Sequence, residues 1–240
     1  MEINKLNFDK KIATQIILFF VLAFGISYFL NLLLNPLASY GFKVNLNYAF
    51  GPFLAAIIVS YLHKIPLKLR PFSEISWIRK IEFIGLGIFL IGSFVSTIKS
   101  GYTNYSLIIF GTLLALLYTL LEELGWRVFL GNELSKYSFL TVFLISTVLW
   151  FSWHYSFRDE NLMSNPLQFL GLIAGGSAGM AQFYRQTKSW MIVALTHAVI
   201  SVNLPTLIFF LIVTIALLKL HETKIKKANT KVKTAWTDRI

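Results

Sequence analysis

Long, uninterrupted apolar runs restrict the fold of this chain more than any other feature. A hydrocarbon core about 30 Å thick is crossed by ~20 apolar residues wound as a helix. Against that length about eight runs stand out, near 12–34, 47–63, 81–98, 105–130, 139–155, 166–184, 190–202 and 205–220. They are continuously apolar rather than alternating every second residue, which favours helices over barrel strands. Of 240 residues, 56% are hydrophobic and 14% charged, against about 25% charged in a soluble domain. One core cannot hide that much apolar surface from water. The expected architecture is therefore all-α and polytopic, a single integral-membrane domain over residues 1–240. The first run is too long for a signal peptide and lacks a small-residue cleavage site after it, so it reads as a retained helix.

Charge placement orients the spans. The 22 Lys and Arg exceed the 11 Asp and Glu by +11. No nucleic-acid recognition motif accompanies that excess, and most basic residues flank apolar runs, so the partner expected is an anionic bilayer and not nucleic acid. With eight spans and both termini cytoplasmic, all basic residues fall inside except Lys43, Lys99 and Arg158, and Arg127 within a span. That is the bias expected of a multi-pass protein of the cell membrane. The lysine-rich tail, about 219–240, suits attachment to anionic lipid. With no cysteine, disulfides, thiolate metal sites and a cysteine nucleophile are excluded. Gly171, Gly175 and Gly179 form a stripe that reads as close helix packing rather than cofactor binding.

Ionisable side chains inside hydrocarbon carry the functional information, because they cost several kcal/mol (about 2.5–3.5 on insertion scales) unless they face a bundle interior. Glu122, Glu123 and Arg127 lie in the fourth run, His154 in the fifth and His197 in the seventh. On a helix Glu123 and Arg127 are four apart and can pair, whereas Glu122 points about 100° away. Two adjacent carboxylates cannot both ionise cheaply in low dielectric, so one is expected to be committed to Arg127 and the other left to accept a proton. A Glu that activates water, with His residues to orient it, bind a metal or stabilise an oxyanion, is equipped for hydrolysis. Two His and a Glu are also a zinc-ligand set. The helix signature of zincins, the serine elbow and the phosphate-binding loops are all missing.

The ordered set Glu122-Glu123-x-x-x-Arg127, Trp150-x-x-x-His154 and His197 resembles the CPBP family, the type II CAAX prenyl proteases and bacteriocin-processing or immunity (Abi) proteins. The resemblance covers about residues 105–203. It implies an intramembrane endopeptidase acting on a membrane-associated or prenylated-type peptide. In that scheme Glu122 is the base, Glu123 its partner acid and Arg127 the residue that orients both. His154 acts with Glu122, and His197 supports the oxyanion. The family's second motif usually opens with Phe, where this chain has Trp150. Its third usually has Asn or Asp four residues after the His; here that position is Ser201, a shorter donor to the oxyanion. The resemblance is compatible with zinc or another divalent metal on Glu122, His154 and His197, or with no metal.

A membrane immunity or regulatory protein that binds peptides in the same cavity, and a proton-coupled transporter, are the competing functions. No inverted repeat supports the transporter. Counting about 1.5 Å per residue from an inner surface near Lys136 and Lys188 places Glu122 about 21 Å deep, His154 about 27 Å and His197 about 14 Å. Straight helices would keep these residues apart, so a kink, a buried helix start or a dipping loop is required.

Overall fold

The computed structural model describes residues 9–34, 46–99, 101 and 104–202, the side chains of residues 34, 96 and 200–202 excepted. The described residues are helical with no strand: α1 (Lys10–Leu34), α2 (Leu46–His63), α3 (Ser76–Lys99), α4 (Tyr105–Glu123), α5 (Leu130–Glu133), α6 (Phe139–Trp153), α7 (Glu160–Ser164), α8 (Pro166–Thr187) and α9 (Trp190–Val202). A π-helical stretch, Leu124–Phe129, joins α4 to α5, and a 3-10 turn, His154–Phe157, extends α6. The expected eighth span (205–220), the basic tail and the Ser201 side chain lie outside the described residues.

Short polar side chains start these helices where a sequence rule would put them. Asn104 accepts from the Leu107 amide, Ser138 from Thr141, Asp159 from Asn161 and Leu162, and Asn165 from Gln168. Each satisfies an otherwise orphaned N–H of a first turn. Pro166 sits in the first turn of α8, where its missing N–H costs nothing.

Among the described residues, five helical stretches are long and apolar enough to cross a bilayer: Lys10–Leu33, Leu46–His63, Ser76–Lys99, Tyr105–Glu133 and Phe139–Phe157. Their outward faces carry Ile17, Phe29, Phe83, Ile91, Ile109 and Leu144, all largely exposed. That inside-out distribution marks a membrane protein. The α9 helix, at about 1.5 Å per residue, is only ~20 Å long and short for a full crossing.

Helices α1, α2 and the π stretch approach almost backbone to backbone. A Cβ on Gly51 would lie 1.9 Å from Ser27 Oγ, and one on Gly125 would lie 2.6 Å from the Pro52 carbonyl oxygen. The buried Ser27 hydroxyl donates to the Tyr48 carbonyl at 2.8 Å and accepts from Trp153 Nε1 at 2.9 Å, joining α1, α2 and α6. At the far side, the α9 amides of Trp190 and Met191 donate to the Arg70 and Pro71 carbonyls, each at 3.0 Å. The segment after α2 thereby caps α9.

The glycine stripe does not pack as expected. A Cβ at Gly171, Gly175 or Gly179 meets nothing within 4 Å. The three lie on the exposed face of α8, because the buried face is built from Phe169, Ile173, Ser177, Met180 and Tyr184.

Candidate active site

Glu122 and Glu123 end α4 with no exposed surface, and Arg127 follows in the π stretch, 1% exposed. These values discard a surface charge cluster at a helix end. The π stretch also alters the local geometry. The Leu130 amide reaches back five residues to the Gly125 carbonyl, so the turn carries an extra residue. Gly125 lets this turn press on Pro52. The Glu123–Arg127 pair survives the change, with Nε 3.2 Å from Oε2.

The two acids are treated differently. Glu123 is committed on both oxygens, Oε2 to Arg127 and Oε1 to His197 Nδ1 at 2.8 Å. Glu122 Oε1 accepts from the indole N–H of Trp150, and the Tyr118 hydroxyl one turn earlier lies in polar contact with the same carboxylate. Glu122 Oε2 is buried with no hydrogen-bond partner among the described residues. The division expected from helix spacing, one acid neutralised and one left open, is what the structure shows.

Arg127 needs more than one neighbour to sit in a core. Its guanidinium lies 4.8 Å over the Trp150 ring, a cation–π contact that is strengthened by the absence of water. Its Nη2 reaches Met180 Sδ at 3.8 Å. The Trp150 ring therefore touches both halves of the site: its face holds Arg127 and its edge holds Glu122.

His154 stands at the start of the 3-10 turn. Its Nδ1 lies 2.7 Å from the Trp150 carbonyl oxygen. A carbonyl only accepts, so Nδ1 carries the proton and a neutral ring keeps Nε2 as its acceptor. Trp153, Phe157 and Phe169 surround the ring at centroid distances of 4.9–5.4 Å. His197 meets Trp150 edge to face at 5.4 Å and lies near Tyr118. Both imidazoles thus adjoin Trp150. The π stretch follows directly on the two acids and carries Arg127, and His154 opens the 3-10 turn that extends α6.

The compact cluster in the structure differs from the possible metal set Glu122, His154 and His197. Glu122, Glu123 and His197 gather with a ligand atom of each within 4.8 Å of the others, and His154 is outside this group. The reason is local, since His154 is tied to the Trp150 carbonyl and held by three aromatic rings. The trio is compact enough for an ion about 2.0–2.2 Å from each donor. Its bonding fits one poorly. The Nδ1 proton of His197 already fills the gap to Glu123, and the Arg127 guanidinium already neutralises that carboxylate.

Two residues of the site, Tyr118 and Trp190, escape a reading of the sequence as motifs. Tyr118 is one turn before Glu122, a spacing that would have found it. Trp150 is legible as a motif position but not as a hydrogen-bond donor. Trp190, two turns before His197 on α9, donates its indole N–H to the Leu120 carbonyl at 2.8 Å and so fixes α9 against the end of α4.

Paired buried acids, an arginine and two imidazoles are residue types that suit hydrolysis, set here on separate helices of a helical membrane protein. Comparison with known families finds a partial likeness: residues 104–203, less than half of the chain, match the family model described as Type II CAAX prenyl endopeptidase Rce1-like. The match agrees with the resemblance to CPBP proteins. It contains every motif-bearing residue discussed above. No curated protein and no solved structure matches the chain.

Proposed function

We propose that the protein is an intramembrane endopeptidase of the CAAX type that cuts a membrane-associated peptide by a glutamate-dependent, metal-free mechanism. The observation that carries this reading is Glu122 Oε2, a buried carboxylate oxygen left open beside a second acid whose two oxygens are both engaged. Glu122 takes a proton from water as the water oxygen attacks the scissile carbonyl carbon. The proton passes to the departing amide nitrogen as the C–N bond breaks. Glu123, held by Arg127 and His197, fixes the end of α4. His154 Nε2 accepts a hydrogen bond from the attacking water, and Ser201 supports the oxyanion. Eight spans with cytoplasmic termini would place this chemistry within the hydrocarbon layer of the cell membrane, with the substrate (a lipidated peptide is the natural candidate) entering from the bilayer.

The decisive experiment is cleavage of prenylated and unprenylated reporter peptides by purified protein in nanodiscs. Glu122→Gln should lose roughly 10²–10⁴ in rate, as expected for removal of a general base, while retaining the wild-type unfolding profile. Cleavage at the wild-type rate by the Gln variant would refute the role. Exhaustive chelation should leave wild-type cleavage unchanged; loss on chelation with recovery on zinc would overturn the metal-free mechanism but not the protease reading.

A further inference from the structure

Basic residues from two separate segments meet where α8 turns into α9. Lys188 occupies that turn in the left-handed region, φ 52°, with its amide on the Tyr184 carbonyl at 2.8 Å and its ammonium 5.5 Å above the Tyr184 ring. Arg185 precedes it on the last turn of α8. The segment after α2 brings Lys68 and Arg70 alongside, pinned by the Arg70 carbonyl to the Trp190 amide at 3.0 Å and by the Pro71 carbonyl to Ser189 Oγ at 3.3 Å.

Four cations share this corner with two carboxylates, the exposed Glu74 and the buried Glu82, which accepts from the Ser73 amide at 3.1 Å. Glu74 pairs with Arg70 at 3.2 Å, both side chains well exposed. Nη1 of Arg185 is buried and has no hydrogen-bond partner among the described residues. Partial burial, then Arg185, Lys68 and Arg70, hold the Lys188 ammonium below the ordinary lysine range. Like charges this close repel, and a bound anion would relieve both the repulsion and the orphaned donor. Apolar surface adjoins the cations: Leu69 is 51% exposed, and Phe72 stacks on the outward-facing Phe83 at 5.2 Å. A free anion has no use for such neighbours, whereas a molecule with a phosphate head and acyl chains engages both.

We infer that Arg185, Lys188, Lys68 and Arg70 form a binding site for the phosphate of an anionic phospholipid headgroup, with the acyl chains along Leu69 and Phe72. This site is separate from the basic tail and does not depend on the protease reading. Its position gives it a consequence, because the segment that carries Lys68 and Arg70 also caps α9, the helix that presents His197.

Native mass spectrometry of protein released from nanodiscs of phosphatidylcholine with phosphatidylglycerol tests the inference. Wild type should retain phosphatidylglycerol, and the double variant Arg185→Gln/Lys188→Gln should lose it by roughly 20–30-fold, at about a five-fold loss per cation removed. Arg185→Lys/Lys188→Arg should keep it, as should a tail variant, Lys226→Gln/Lys227→Gln. Retention by the Gln variant at the wild-type level, or loss by the tail variant alone, would overturn the site. A competition arm separates the two phosphate sources. Inorganic phosphate in excess should leave lipid occupancy unchanged; displacement of the lipid by phosphate would make this a soluble-phosphate site and refute the lipid assignment.

Discussion

Trp150 is the residue through which the site is coupled. One side chain gives its N–H to Glu122, its ring face to Arg127 and its edge to His197, while its carbonyl holds His154. Trp150→Phe keeps an aromatic face and most of the volume but deletes the donor. A hydrogen bond to a charged group contributes about 1.5–3 kcal/mol, so kcat should fall roughly 10–100-fold, with a smaller change in KM. Steady-state kinetics beside an unfolding curve would check this, and an unchanged kcat would show that the indole serves only packing. At this scale the sequence was informative about charge partition and silent about hydrogen bonding to the acids. The i to i+4 spacing already set Glu123 against Arg127, because that relation is local. Nothing local shows that an indole on α6 reaches Glu122, since that depends on which faces of two distant helices meet.

Among the elements, the π stretch follows directly on the two acids and presses on α2. Gly125 has no room for a side chain, with Pro52 atoms 2.6–2.7 Å from where a Cβ would stand. Gly125→Ala should destabilise the protein by about 1–3 kcal/mol through overpacking and reduce cleavage as the turn shifts. Gly175→Ala on α8, whose Cβ meets nothing within 4 Å, should instead be neutral or stabilising by about 0.5–1 kcal/mol. Thermal melts in one detergent would compare the two; equal destabilisation would contradict the assigned close approach. The long helices were legible in the sequence to within about five residues, whereas the short α7 was not. The π turn was not, though the depth mismatch among Glu122, His154 and His197 showed that some irregular device had to exist. The stripe of Gly171, Gly175 and Gly179 was misread because small residues permit a close contact without specifying that a neighbour is there.

For the whole molecule, the charge bias makes an orientation that can be measured directly. The chain has no cysteine, so single introduced thiols report without background. Ser135→Cys, beside Lys136 after α5, should react with an impermeant maleimide only in inverted vesicles. Glu160→Cys, at the start of α7, should react only in right-side-out cells. Labelling of both from one side would refute eight spans with cytoplasmic termini. The experiment reads the crossing by α6 directly, because that helix alone separates the two labelled sites.

Apolar run length, basic flanks and ionisable residues out of place are properties of short windows. They sufficed to determine a helical membrane protein, the segments that form its helices and the side chains around which a hydrolytic site would assemble. Tertiary structure alone decided that Glu122 and Glu123 are sealed from solvent, that His197 joins them, and that four cations from two segments share one corner. Those outcomes depend on helix faces brought together from far apart in the chain. The free energy of such meetings comes from burial and close packing, which spacing along one helix does not encode.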